Sequence, residues 1–294
     1  MKNKITKYFN LFAELGKVKI TFFVAISSSV GYILASGSLT WHMILPALGI
    51  FILASSSSAL NHFQERDLDA LMDRTKNRPI PSGRVSPDSV LLFSLLLFII
   101  GSLVLLLSSN TLALSLGWLA FVWYNIIYTP LKRKYALAVV PGSVIGALPP
   151  IIGWVAGGGD LFNPQIIALA LFFFIWQVPH FWLLLLLYGK DYDKAGFPTL
   201  TKIFNTKQIA RLTFMWVVAL STSCLLIPFF GVSKNIFTSV GLILLGIWLV
   251  LTTAKILSEY VERKNYRNAF VKINIYVLTV VILLSLDKLI LIQF

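Results

Sequence analysis

Residues 42–62, HMILPALGIFILASSSSALNH, run without a break into 61–74, NHFQERDLDALMDR. The first stretch is as long as a bilayer crossing, which takes about 20 mostly apolar residues. The second places Asn61, Glu65, Asp69 and Asp73 four residues apart. On a continuing helix residues at that spacing share a face, so their oxygens can line one stripe while Asp67 points elsewhere. A spanning segment that ends in a ladder of oxygen ligands predicts a membrane protein with chemistry at one face of the bilayer.

The rest of the chain agrees. Of 294 residues, 57% are hydrophobic and 13% charged, about half the charged share of a soluble domain. Nine segments are long and apolar enough to span, at roughly 19–37, 42–62, 88–108, 111–129, 136–157, 165–188, 209–230, 236–257 and 271–291. The predicted fold class is therefore all-α: a polytopic membrane protein with nine transmembrane helices, read as a single domain over 1–294. Segment five holds Pro141, Pro149 and Pro150 and is expected to bend. Residues 1–18 form an interfacial segment, with a short amphipathic helix over 3–15. The basic start resembles a signal peptide, but no small-residue cleavage site follows and further spans do. The single cysteine, Cys224, lies in an apolar stretch and reads as packing.

A net charge of +13 would point to nucleic acid in a soluble protein. Here its placement excludes that partner. All the Lys and Arg except Lys234 and Lys288 fall in the N-terminal tail or after segments two, four, six and eight. The positive-inside rule places those regions, and the N-terminus, in the cytoplasm; nine spans then put the C-terminus outside.

Hard oxygen ligands such as Asn61, Glu65 and Asp69 suit Mg²⁺, which takes one or two carboxylates together with substrate phosphates. Basic residues follow at Arg66, Arg74, Lys76 and Arg78, and guanidinium groups grip phosphate oxygens bidentately. Arg84 reads as a topology signal only. A second acidic stretch, Lys190-Asp191-Tyr192-Asp193, closes segment six on the same side and offers a further metal-binding pair. Both stretches lead to a proline, at Pro79 and Pro198, a weak echo of two related halves. Tyr128, Lys132 and Arg133, after segment four, add an aromatic hydroxyl and two cations. His180, in WQVPHFW at 176–182, lies within segment six and reads either as packing or as part of a pocket.

These residues resemble the UbiA-type intramembrane prenyltransferases and, within them, the heme O synthase branch. The matching runs are Arg66 to Met72, Arg74-Thr75, Arg78-Pro79, Tyr128 to Arg133, Pro141-Gly142 through Pro150 with Gly153-Trp154, Trp176 to Trp182, and Lys190-Asp191-Tyr192. Glu65 stands where the family pattern usually has Asp. The second motif lacks the four-spaced Asp pair of many relatives. The resemblance implies a UbiA-type bundle in a bacterial inner membrane. It implies Mg²⁺ held by Asn61, Glu65, Asp69 and Asp191, with farnesyl diphosphate as donor and heme B as acceptor. Arg66, Arg74, Lys76, Arg78, Tyr128, Lys132, Arg133, His180, Lys190 and Asp193 would contact substrates, and heme A synthase or oxidase-assembly proteins are the implied partners. Two other readings compete: a prenyltransferase acting on a quinone precursor or chlorin-like acceptor, and a transporter. The acids of a transporter would lie at mid-depth, whereas these cluster at one face.

Overall fold

Ten principal helices build the molecule, whose computed structural model describes residues 2–233, 235–258 and 262–290. They are α1 (Lys2–Leu15), α2 (Val18–Ser36), α3 (Ile44–Leu71), α4 (Pro87–Ser108), α5 (Thr111–Val122), α6 (Val144–Ala156), α7 (Pro164–Lys194), α8 (Thr206–Ser223), α9 (Ile236–Thr253) and α10 (Arg263–Ile290). Among the described residues there is no strand, and nine helical runs are long and apolar enough to cross a membrane. Lys234, expected on the sparsely charged side, lies outside the described residues.

Local chemistry sets the helix starts. Ser86, Asn110, Asn163, Asn205 and Asn235 each accept a backbone N–H of the helix they precede, and Gln208 completes a capping box with Asn205. Such caps satisfy amides left without an intrahelical partner. As expected, segment five is not straight: Val139–Gly142 forms one short turn and α6 begins anew after Ser143.

The helices pack inside out relative to a soluble bundle. On α4 the small side chains Ser94, Gly101 and Ser102 face protein, while Leu92, Leu95, Leu96, Ile99, Ile100 and Leu103 are exposed. Lipid offers no hydrophobic drive for helix association, so small residues and polar bonds carry the interfaces. Ser56 Oγ donates to the Ser94 carbonyl at 2.7 Å and Ser94 Oγ to the Ser56 carbonyl at 2.9 Å, which joins α3 to α4. α2 and α6 cross so closely that a Cβ on Gly153 would lie 1.7 Å from the Ser28 carbonyl oxygen, and one on Gly31 2.0 Å from that of Pro150.

Two helices continue beyond their apolar spans and carry the acidic stretches to one end of the bundle. α3 stays helical to Leu71. α7 reaches Lys194 through a non-helical residue, Tyr188 (φ −128°, ψ 16°). The two ends meet where the Arg74 backbone N–H donates to Asp191 Oδ2 at 3.3 Å.

Candidate active site

A cavity of about 1080 Å³ runs from this charged end into the bundle. Its body is apolar and aromatic, with Ile50, Phe121, Tyr124, Pro149, Phe173 and Trp176 among its walls. Lys17, Asn61, Glu65, Asp69, Arg78 and Lys132 also line it.

The α3 ladder holds for three of its four rungs. Asn61, Glu65 and Asp69 are buried, at 1%, 5% and 0% exposure, and all line the cavity. Asp73 does not join them. The helix ends at Leu71 and Met72 is extended (φ −97°, ψ 130°), which turns Asp73 out of the stripe and into the solvent. There it pairs with Lys76 and Lys194, whose ammonium groups hold its carboxyl down at about 2. Asp67, on the far side of α3, is exposed, as a regular helix requires.

Each of the two buried carboxylates of the ladder has its own cation. Arg78 reaches both oxygens of Asp69 at 2.8 and 2.7 Å. Lys132 lies 2.6 Å from Glu65 Oε1. Burial disfavours the Lys132 ammonium, but the Glu65 carboxylate outweighs it and holds the group above the ordinary lysine range. Lys132 also sits 5.5 Å from the Tyr128 ring. Lys17 donates to Asn61 Oδ1 at 3.1 Å. Burial and the nearby Arg78 guanidinium bring its ammonium down to about 7.

α5 delivers Tyr124, Tyr128 and Lys132 through an irregular stretch. Trp123–Tyr128 is a π-helical turn, a feature frequent at functional sites. Buried Asn125 secures it by donating to Ser57 Oγ at 2.6 Å and to the Phe121 carbonyl at 3.1 Å.

Deeper in the cavity His180 Nδ1 lies 3.0 Å from Asn274 Oδ1 on α10. Asn274 Nδ2 donates to the Phe270 carbonyl at 2.5 Å, so the amide presents its oxygen to the ring. In that orientation the ring donates from Nδ1 to Asn274 Oδ1. His180 also contacts Trp176, Phe181 and Phe270, with ring centroids 4.7–5.4 Å apart.

The profile of the UbiA prenyltransferase family matches residues 24–276. The chain belongs to the UbiA prenyltransferase family. A protoheme IX farnesyltransferase of Oleidesulfovibrio alaskensis is 32% identical over 278 residues, covering 95% of this chain and 96% of that protein. One from Geobacter sulfurreducens is 45% identical over 183 residues, covering 62% and 67%. Among solved structures, one described as digeranylgeranylglyceryl phosphate synthase superposes with a TM-score of 0.77 at 17% identity, covering 96% of this chain and 99% of that one. A UbiA homolog from Archaeoglobus fulgidus bound to GPP and Mg²⁺ gives 0.66 at 13% identity, covering 94% and 99%. At those identities the likeness shows the shared fold.

In this UbiA-family prenyltransferase, Asn61, Glu65, Asp69, Arg74, Arg78, Tyr128, Lys132 and His180 line one cavity. Other residues singled out in the sequence lie outside its lining. Arg66 folds back onto the Phe63 carbonyl, at 2.8 Å, and over its ring. Lys76 pairs with Asp73. Arg133 donates to the Gln64 carbonyl, Lys190 is exposed, and Asp193 Oδ1 accepts from Thr199 Oγ1 at 2.8 Å. Asp191 stands at the rim against the Arg74 backbone. The oxygen donors fit Mg²⁺: two carboxylates and an amide on one stripe, with room for phosphate oxygens to complete the shell. Among the described residues no three Asp, Glu, His or Cys side chains come together as a metal cluster.

Lys17 and Asn274 carried too little signal to be found beforehand. Lys17 is one of several lysines in a basic tail, and Asn274 is a lone amide in an apolar span.

Proposed function

We propose that this prenyltransferase transfers a farnesyl group from farnesyl diphosphate to a vinyl group of heme B, giving heme O and diphosphate. The observation that carries the reading is one continuous cavity joining a mouth of buried paired charges to an apolar body with His180 on its wall. The close likeness to proteins named protoheme IX farnesyltransferase over nearly the whole chain supports the choice of substrates.

In this reading Asn61, Glu65 and Asp69, with Asp191 from the facing helix, hold Mg²⁺. When bound, Mg²⁺ supplies positive charge that neutralises the departing diphosphate. Arg78, Lys132 and Arg74 bind its oxygens, and preorganised donors of this kind stabilise charge as it develops. The prenyl tail lies along the apolar wall. As the allylic C–O bond breaks, the cation-like carbon is shielded by Tyr124 and Tyr128, which stack 5.9 Å apart. The vinyl π bond of the porphyrin attacks that carbon to form the new C–C bond. Water adds to the resulting cation beside the ring and loses a proton, which leaves a hydroxyethylfarnesyl group. His180, fixed by Asn274, is placed to meet the porphyrin face. The mouth faces the cytoplasm of a bacterial inner membrane, on the side where the basic residues collect.

Purified protein supplied with heme B, farnesyl diphosphate and Mg²⁺ should release pyrophosphate and yield a product of the mass of heme O. No such product, under conditions where an established relative makes it, would sink the reading. A prenylated quinone precursor formed in a parallel assay would transfer the activity to that acceptor.

A further inference from the structure

Lys17 is the only non-glycine residue with positive φ among the described residues (φ 47°, ψ 48°). L side chains rarely adopt this left-handed conformation. It falls between α1 and α2, where the chain turns from its first helix into the first span. The turn aims the amine into the mouth, where Lys17 lines the cavity beside Asn61, Asp69, Arg78 and Lys132. Protein surrounds the side chain, yet part of its surface stays open to the cavity.

The charges of the mouth do not balance. Lys17, Arg78 and Lys132 face two buried carboxylates, and Asp69 and Glu65 are taken by Arg78 and Lys132. Among the described residues no carboxylate pairs with Lys17, and its acceptor is the neutral Asn61 amide oxygen. A recessed ammonium beside two other cations is unfavourable unless an anion joins them.

α1 holds the amine in place from outside. Glu14 makes two hydrogen bonds with Arg84, at 2.7 and 2.8 Å, which tie the end of α1 to the segment before α4. Leu15 packs into a small core with Ala59, Ile80 and Val90.

We propose that Lys17 is a diphosphate-binding residue of this enzyme, held over the mouth by the left-handed turn between α1 and α2 and latched there by Glu14 and Arg84. The proposal rests on reading the mouth as a diphosphate site, and the test keeps the two apart by using Mg²⁺ with inorganic pyrophosphate, which needs neither heme nor a prenyl chain.

Lys17→Gly removes the amine while suiting the backbone, since glycine takes positive φ freely. The full-length variant should melt at or above the wild-type temperature in detergent, yet bind pyrophosphate about 10- to 100-fold more weakly, as loss of a charge-assisted bond implies. Its KM for farnesyl diphosphate should rise similarly, with heme affinity unchanged. Lys17→Arg should keep most of the affinity, and Glu14→Gln should weaken binding less than Lys17→Gly does. Pyrophosphate binding by Lys17→Gly equal to wild type overturns the proposal while the diphosphate site stands. A lowered melting temperature in both Lys17→Gly and Lys17→Met, with binding intact, makes the amine structural and also overturns it. No pyrophosphate binding by the wild type overturns both the proposal and the reading of the mouth.

Discussion

Asp69 is fully buried and holds Arg78 through both oxygens, so its replacement tests the charged mouth most directly. Asp69→Asn keeps the shape but removes the charge that Arg78 and a metal would share. Turnover should fall on the order of 10²–10³-fold, the scale of losing one preorganised electrostatic group. Circular dichroism and elution volume should stay near wild type, because eight other spans and the α3–α4 interface do not involve this pair. Near-normal turnover in that variant would remove Asp69 from the site. His180 calls for a different readout. Asn274→Leu removes the acceptor that fixes the proton on Nδ1, so heme titrated into this variant should show a shifted Soret band and weaker binding. His180→Ala should show the same loss, with partial recovery on adding imidazole. A heme titration identical to wild type in both variants would return the pair to helix packing.

At the scale of elements, helix ends decide which acids meet. The apolar spans and their number could be read directly, because about 20 apolar residues in a row have few other uses. The three-rung ladder could be read too, since Asn61, Glu65 and Asp69 keep helical spacing. Asp73 keeps the same spacing but not the helix: nothing local in Leu71-Met72 announces the stop, and Lys194, from far along the chain, draws the acid outward. The π turn of α5 was equally hidden, because its Asn125 anchors on Ser57 of another helix. Asp73 now serves as a tie between the ends of α3 and α7. Its carboxyl is held below the ordinary carboxylate range, so the tie contributes above that range and is lost as pH falls from about 3.8 toward about 2. Asp73→Asn imitates the acid form at neutral pH. Hydrogen exchange should then rise in the segments around 72–78 and 188–194, while turnover changes little because Asp73 does not line the cavity. A second element-scale expectation concerns the α2–α6 crossing. Gly153→Ala would place a methyl group 1.7 Å from the Ser28 carbonyl oxygen. Rigid backbone on both sides cannot yield cheaply, so stability should drop by about 1–3 kcal/mol or more, seen as a lower melting temperature in detergent. An unchanged melting curve would show that the two helices can slide apart.

For the whole molecule, the governing feature is one cavity with two chemical ends. At about 1080 Å³ it stands at the upper limit of small-molecule pockets, generally about 300–1,000 Å³, which suits two bulky substrates held together. Its depth sets a length scale. Ala120 lines the cavity on the helical run Thr111–Leu131, whose end Lys132 follows directly. Twelve residue steps separate the two positions; at no more than 1.5 Å each, and less through the π turn at Trp123–Tyr128, they put Ala120 within about 18 Å of the charged mouth. A diphosphate anchored at Lys132 would therefore bring the far part of a three-unit prenyl tail near Ala120, whereas a two-unit tail would stop short of it. Ala120→Phe should block the longer tail and spare the shorter one. With geranyl and farnesyl diphosphates supplied together, wild-type protein should give mainly the farnesylated product, and the variant should shift the ratio toward the geranylated one by about tenfold or more, as overpacking of about 1–3 kcal/mol implies. Pyrophosphate affinity should not change, because the mouth is untouched. Mass spectrometry of the mixed-donor product reads the ratio directly, and an unshifted ratio would mean that the tail leaves the mouth along another wall of the cavity.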